Sequence, residues 1–407
     1  MVAFRNVIFS KKYFLFVYLI FLLCDISCNS IKSVKNDHAS HASVTTTNSD
    51  TTWVLLPFQK VDSLNPVLGP SNQTFFDPIR KKKIAWEAKD VFNPTVIVKN
   101  DKIYMLYRAE DSVGKPNGTS RIGLAVSTDG FHFKRFPSPV LYPENDSFKK
   151  YEWQGGCEDP RVVQDSAGVY YMTYTAYDGK IARLFIATSK DLVHWKKHGS
   201  VFNKAYHGTF LNKWSKSGAI VSVYKNGTPV AVKINGKYWM YWGDQFIWAA
   251  TSDDLINWTP IKMQPGEKPP VALRNQAITM PDLKIIVPTR LGKFDNDIVE
   301  SGPPAMLTSH GILLIYNGRN TTEGGNSALA NGTYSGGEVL LDKNDPTKII
   351  HRLNHYFITP TQPYEITGQV NYVCFLEGLV HFKNKWFLYY GTADSKIAVA
   401  VCDKNIF

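Results

Sequence analysis

The sequence predicts an all-β fold, a five-bladed β-propeller, and three observations carry the prediction. Long helical periodicity is scarce, short aromatic-rich strand patterns recur between turn residues, and one strand-turn-aromatic unit repeats at a nearly constant pitch. The hairpin pattern is plainest in NPTVIVKNDKIYMLYRAED (93–111), DPRVVQDSAGVYYMTYTAYDG (159–179) and EGLVHFKNKWFLYYGTAD (377–394). In each, a strand runs into a polar turn and returns as a second strand with alternating aromatic residues. The repeat is carried by RIGLAVSTDGFHF (121–133), RLFIATSKDLVHW (183–195) and FIWAATSDDLINW (246–258), whose Ser127, Ser189 and Ser252 lie 62 and 63 residues apart. A four-stranded unit at that pitch predicts propeller blades rather than a sandwich. Further openings at SGPPAMLTSHGILLIYNG (301–318) and at Glu377 bring the economical count to five.

The amino terminus is organised differently. Arg5, Lys11 and Lys12 precede an apolar run from Tyr13 to Cys24, the order of an export signal and too short a run for a membrane span. Residues 1–28 are therefore expected to be a signal peptide, either cleaved conventionally or of the lipoprotein type with Cys24 or Cys28 lipidated. Lipidation would attach the chain to a membrane, and the expected location is periplasmic or cell-surface. Residues 29–52 are polar and Ser/Thr-rich, which predicts a disordered tether. The catalytic propeller is expected over 53–407.

Composition excludes several classes. With 44% hydrophobic and 13% aromatic residues the chain is globular. Its net charge of +11 is spread along the chain, and no zinc-finger spacing or phosphate-loop pattern accompanies it, so no nucleic-acid partner is expected. The five cysteines form no disulfide framework, and the ten dispersed histidines form no metal-ligand motif. No metal and no cofactor are expected.

Carboxylates at the openings of the repeated units carry the chemistry. GGCEDPR (155–161) places Asp159 between a glycine-rich turn and a Pro-Arg step, where it can be either an acid catalyst or a turn anchor. Inverting cleavage of a glycoside needs one carboxylic acid to protonate the departing oxygen and a second group acting from the opposite face. Asp159 is the candidate acid; Asp244 in YWGDQF and Glu300 in DNDIVESGPP are candidates for the second group.

GGCEDPR, together with NPTVIV and YRAED before it, YMTYTAYDG after it, and the closing GGEVLLDKNDPTKI and YYGTADSKIAVA, resembles glycoside hydrolase family 130 over roughly residues 89–402. That family holds inverting hydrolases and phosphorylases of β-mannosides. The resemblance implies a five-bladed propeller, Asp159 as proton donor, and Asn93, Arg108 and Asp394 as sugar-contacting or organising residues. Arg161 and Arg183 are expected to support the polar centre or touch substrate. Phosphorylases of the family commonly carry a His-Arg pair after the INGKY segment, and this chain has Trp242, Gly243 and Asp244 there. An added carboxylate repels phosphate. Glu300 before Gly-Pro-Pro likewise resembles the β-1,2-mannosidase branch.

The expected function is therefore an inverting, exo-acting β-1,2-mannosidase that hydrolyses β-mannosyl oligosaccharides, with Glu300 as preferred base and Asp244 assisting. The alternatives are a β-1,4-mannoside phosphorylase, for which inorganic phosphate is co-substrate and Lys216 a phosphate-binding position, and a carbohydrate-binding propeller without turnover. Trp242, Phe246 and Trp248 are candidates for stacking on sugar, against a bland reading as packing residues. The stretch 266–284 is expected to form a loop over the site.

Overall fold

The computed structural model describes residues 52–114, 118–270 and 278–404. The signal expected at 1–28 and, but for Thr52, the tether expected at 29–52 lie outside those residues. The described chain is all-β, with helix confined to single turns such as Lys149–Glu152 and Pro363–Ile366.

Among the described strands, antiparallel ladders pick out five groups of four, called sheets here, with shorter hairpins such as Thr74–Asp77 with Lys82–Ala85 beside them. The first runs Asp90–Lys99, Lys102–Glu110, Ser120–Ser127, Lys134–Arg135. The second runs Gly156–Gln164, Tyr170–Tyr177, Ala182–Ser189, Lys196–Ser200. The third is built on Ala219–Ile220, Lys237–Trp242, Ile247–Ser252 and Trp258–Pro260. Ile298–Ser301, Ile312–Arg319, Tyr334–Leu341 and Ile349–Arg352 make the fourth. In the fifth, Cys374–Phe382, Lys385–Thr392 and Lys396–Cys402 are completed by Gln59–Lys60 from the other end of the chain. All three hairpins read from alternation are ladders of these sheets.

The repeated Ser-x-Asp turns have a physical explanation. Ser127 Oγ accepts the backbone N–H groups of Asp129 and Gly130, and Asp129 Oδ1 accepts those of Phe131 and His132. Ser189 with Asp191 and Ser252 with Asp254 repeat the arrangement. Each turn joins the third strand of its sheet to the fourth, so the pitch in the sequence is the pitch of the sheets.

The core consists of five apolar clusters, each formed between two consecutive sheets. Leu106 and Leu124 pack with Val162 and Tyr174; Leu184 and Ile186 with Met240 and Trp242; Tyr241 and Ala249 with Leu314 and Val339. Ile315 and Leu340 then pack with Leu376 and Leu388, and Tyr389 and Val399 with Val96 and Met105, which returns to the first sheet. Fully burying a Leu or Phe in such a cluster contributes about 1.5–3 kcal/mol, so packing holds the described residues together; among them Cys157, Cys374 and Cys402 are free thiols.

One buried carboxyl group lies against the segment that leads into Gln59–Lys60. Glu338 is fully buried in the fourth sheet, accepts the Leu55 N–H at 3.1 Å, and leaves its Oε1 without a hydrogen-bond partner among the described residues. Burial pushes its carboxyl up to about 8 from an ordinary value of 4.5. The folded chain therefore binds a proton that the unfolded chain has released, so this contribution is complete below the unfolded pKa and is lost as pH rises through the folded one. Thermal unfolding of the wild type is expected to weaken across that window by up to about 1.4 kcal/mol per pH unit from this group. Glu338→Gln should flatten the difference in Tm between pH 5 and pH 8; an unchanged slope would show that Glu338 is already ionised.

Candidate active site

The first strands of three sheets carry a β-bulge at the same height. Register shifts fall between Phe92 and Pro94, between Glu158 and Arg161, and between Leu376 and Gly378. Pro94 and Pro160 thus lie inside strands, at the bulges. The bulge puts Asn93 and Asp159 in the left-handed region, at φ 48° and 50°, and so re-aims their side chains. Asn and Asp tolerate that conformation better than most residues, which explains Asn-Pro and Asp-Pro at these openings. The close fit extends to the fifth sheet, where a Cβ on Gly391 would lie 2.5 Å from Asn93 Oδ1.

Asp159, almost fully buried, is the hub of the site. Its Oδ1 accepts from Asn93 Nδ2 at 2.9 Å and Arg108 Nη1 at 3.1 Å, and Lys216 Nζ stands 3.5 Å from Oδ2. Arg108 also bonds Glu110 at 2.7 Å and Glu158 at 3.0 Å. Lys216 reaches to 3.9 Å from Glu300 Oε1, which accepts the Ser217 hydroxyl. Asp244 completes this edge: its Oδ2 accepts the Trp214 indole N–H at 2.6 Å.

Charge is distributed unequally over the carboxyls. Burial alone would raise Asp159, but Arg108, Lys216 and Asn93 overcome it and hold the carboxyl well below the usual range. Its neighbour Glu158 is pushed up to about 7, by burial first and by the negative charge of Asp159. Burial likewise pushes Asp394 up to about 7 and raises Glu300, the latter with help from Asp244. The surrounding acids hold Lys216 firmly protonated despite its burial. In the ligand-free site the readily held protons therefore belong to Glu158 and Asp394, not to Asp159.

Arg161 lies behind this cluster. It donates to the carbonyls of Gly302 at 2.8 Å, Ser301 at 2.7 Å and Asp159 at 3.3 Å, and pairs with the buried Glu377 at 2.8 Å. It ties the second, fourth and fifth sheets together beneath Asp159. Arg183 is engaged elsewhere, with Asp178 at 2.8 Å and with Asn212 at 3.1 and 3.2 Å, and braces the segment that leads to Trp214 and Lys216. Trp242, Phe246 and Trp248 are buried in the cluster between the second and third sheets and pack on one another and Phe202. They are core residues, as the bland reading had it.

A cavity of about 90 Å³, lined by Arg108, Glu110, Glu158, Tyr177 and Gln369 among others, opens beside Asp159. A hollow of about 620 Å³ near Val98, Gly227 and His381 is larger, but none of the groups clustered around Asp159 lines it. Of the long stretch 266–284, Thr279 is held to Gln245 Oε1 through its N–H at 3.2 Å and its hydroxyl at 3.0 Å, beside Asp244. Residues 271–277 of that expected loop lie outside the described residues.

Carboxylates and cations gathered at strand bulges beside a recess are groups that can act on a glycosidic bond. The chain belongs to glycoside hydrolase family 130: residues 64–407 match its model, described as β-1,4-mannooligosaccharide phosphorylase. It is 32% identical to a 1,2-β-oligomannan phosphorylase of Thermoanaerobacter sp. strain X514, over 79% of this chain and 93% of the relative. It is also 32% identical to a β-1,2-mannobiose phosphorylase of the same organism, over 82% and 96%. Among solved structures, one with 45% identity and a TM-score of 0.79 covers 86% of this chain and 94% of its own. That structure is described under the statement that the family of mannoside phosphorylases contains glycoside hydrolases targeting β-1,2 mannosidic linkages in Candida mannan.

These relatives correct the expected mannosidase. The curated relatives are phosphorylases, so the reading as hydrolase, glycosidase and mannosidase gives way, and with it the expectation that no cofactor or co-substrate is used. The physical reason lies at Asp244 and Lys216. Asp244 was read as a charge that would repel phosphate, but its carboxylate is engaged by Trp214, and Lys216 stands between Asp159 and Glu300 as a partly buried cation. Sequence reasoning named Lys216 only in the phosphorylase alternative, and left Ser217, Glu158, Trp214 and Glu377 out of the site. The adjacency of WSKS to a strand opening was the available signal for Ser217.

Proposed function

We propose that the protein is an inverting β-mannoside phosphorylase that transfers a mannosyl residue from a β-1,2-linked manno-oligosaccharide to inorganic phosphate. The structural observation that carries the proposal is Lys216, a partly buried ammonium within 4 Å of both Asp159 and Glu300, where an anionic nucleophile needs a cation. The β-1,2 linkage follows the names of three curated relatives and of the solved structure at 45% identity.

In this reading a phosphate oxygen attacks the anomeric carbon from the face opposite the leaving sugar. The glycosidic bond breaks with its electron pair going to oxygen, and Asp159 supplies the proton that oxygen needs, through a hydroxyl of the mannosyl residue in the manner of the family. Inversion at a β-mannoside yields α-mannose 1-phosphate. Asp159 is ionised in the ligand-free site, and phosphate itself corrects this. Its negative charge occupies Lys216 and raises Asp159, toward which the proton held by Glu158 then moves. Glu300 and Asp244 become groups that hold Lys216, phosphate and acceptor in place. Asn93, Arg108 and Asp394 bind the mannosyl residue, and Arg161 supports the floor.

The five sheets, with five clusters each joining one sheet to the next and the last to the first, support reading the fold as a five-bladed propeller with the site at its centre. In this reading the catalytic unit spans 53–407 and follows an export signal and tether, and the protein works in the periplasm or at the cell surface. The chemical test is the product: phosphorus NMR of a reaction with β-1,2-mannobiose should show α-mannose 1-phosphate, whereas free mannose as the sole product would remove the proposal.

A further inference from the structure

Trp214 is the one described tryptophan among the strongly exposed large apolar side chains, at 42%. A single exposed apolar side chain is ordinary at a protein surface and by itself implies no ligand. The residue is nevertheless held rigidly. Its N–H donates to Asp244 at 2.6 Å, and its ring meets Tyr177 edge to face with centroids 6.3 Å apart. The backbone on its C-terminal side is pinned to two sheets, by Ser215 N–H to the Ala182 carbonyl at 3.0 Å and by Gly243 N–H to the Lys216 carbonyl at 2.9 Å. Tyr177 in turn lines the cavity that contains Arg108 and Glu158. A fixed, open aromatic face thus stands two residues along the chain from Lys216, which reaches Asp159.

We propose that Trp214 is the platform for the sugar next to the reacting mannosyl residue, and so determines the affinity for the leaving-group side of the oligosaccharide. The inference rests on the reading of this site as acting on β-mannosides. The reacting residue must reach Asp159, which is 3% exposed, and therefore lies below Trp214. The next pyranose emerges at the rim, where the C–H face of its ring can lie on the indole while its hydroxyls face Asp244 and solvent. Holding the indole through Asp244 couples acceptor binding to the Lys216–Glu300 edge.

The test is steady-state turnover of β-1,2-mannobiose, counted as free mannose plus mannose 1-phosphate, so that it reads the platform whichever nucleophile is used. Trp214→Ala should raise KM for mannobiose about tenfold with kcat within about twofold. The inhibition constant of methyl β-mannoside, which fills only the reacting-sugar pocket, should not change. Trp214→Phe keeps an aromatic face and loses the bond to Asp244, and it should recover most of the KM. An unchanged KM in Trp214→Ala, a parallel rise in the inhibition constant, or a Phe variant as poor as the Ala variant would each overturn the proposal; the last two outcomes would assign Trp214 to holding Asp244 instead.

Discussion

Asp159→Asn should lower kcat on β-1,2-mannobiose by about a thousandfold, within the range for loss of a positioned general acid, and leave Tm close to that of the wild type. The substitution is conservative for the fold. Asn accepts the left-handed φ of 50° as Asp does, and its amide oxygen can still accept from Asn93 or Arg108. What it cannot do is deliver a proton to the departing oxygen. Rates measured at saturating phosphate and over a range of pH check this. Activity within tenfold of the wild type would show that Asp159 is the turn anchor its sequence context also allowed. A collapse of Tm would mean that the carboxylate chiefly balances Arg108 and Lys216.

Lys216→Met should raise the KM for phosphate by ten- to a hundredfold, the loss of one charge-assisted hydrogen bond in a buried setting, while the KM for mannobiose changes little. Methionine keeps the length of the stem and removes only the charge. A second consequence follows from its neighbours. Lys216 helps hold the carboxyl of Asp159 down and also lowers Glu300, so without it both pKa values rise and the basic limb of the pH profile should move to higher pH. An unchanged phosphate KM would place the nucleophile elsewhere and leave Lys216 as a structural counter-ion.

The secondary structure was legible because hairpins are local: alternating aromatics and Ser-x-Asp turns specify strand and turn within about ten residues. The site was legible in part. Asn93 and Asp159 announce themselves through the proline that follows each, since a bulge with a left-handed residue needs a short polar side chain there. The joining of Arg161 to Glu377 and to the Gly302 carbonyl spans more than 140 positions, and no local pattern encodes such a contact. Arg183 looked like a site residue because it opens a repeat, yet its nearest acid, Asp178, claims it. Trp242 and Trp248 were ambiguous for the opposite reason: strand spacing gives a buried and an exposed face, and only the neighbouring sheet decides which is which. Trp214 sits in a segment without periodicity, so nothing marked it.

The choice of nucleophile shows the same limit. An acid at position 244 reads as hostile to phosphate when taken alone. Read with Trp214 on its carboxylate and Lys216 beside Glu300, it is one member of a balanced set. A solved relative described in connection with β-1,2 hydrolysis shares 45% identity, so one direct observation has the greatest value.

That observation is the consumption of β-1,2-mannobiose by purified, signal-free protein with phosphate titrated from none to saturation in an otherwise fixed buffer. Phosphorolysis predicts no turnover without phosphate, a saturable rise with it, and one mannose 1-phosphate for each mannose released. Turnover that is equal at every phosphate concentration, with two mannoses per disaccharide, would contradict the central claim.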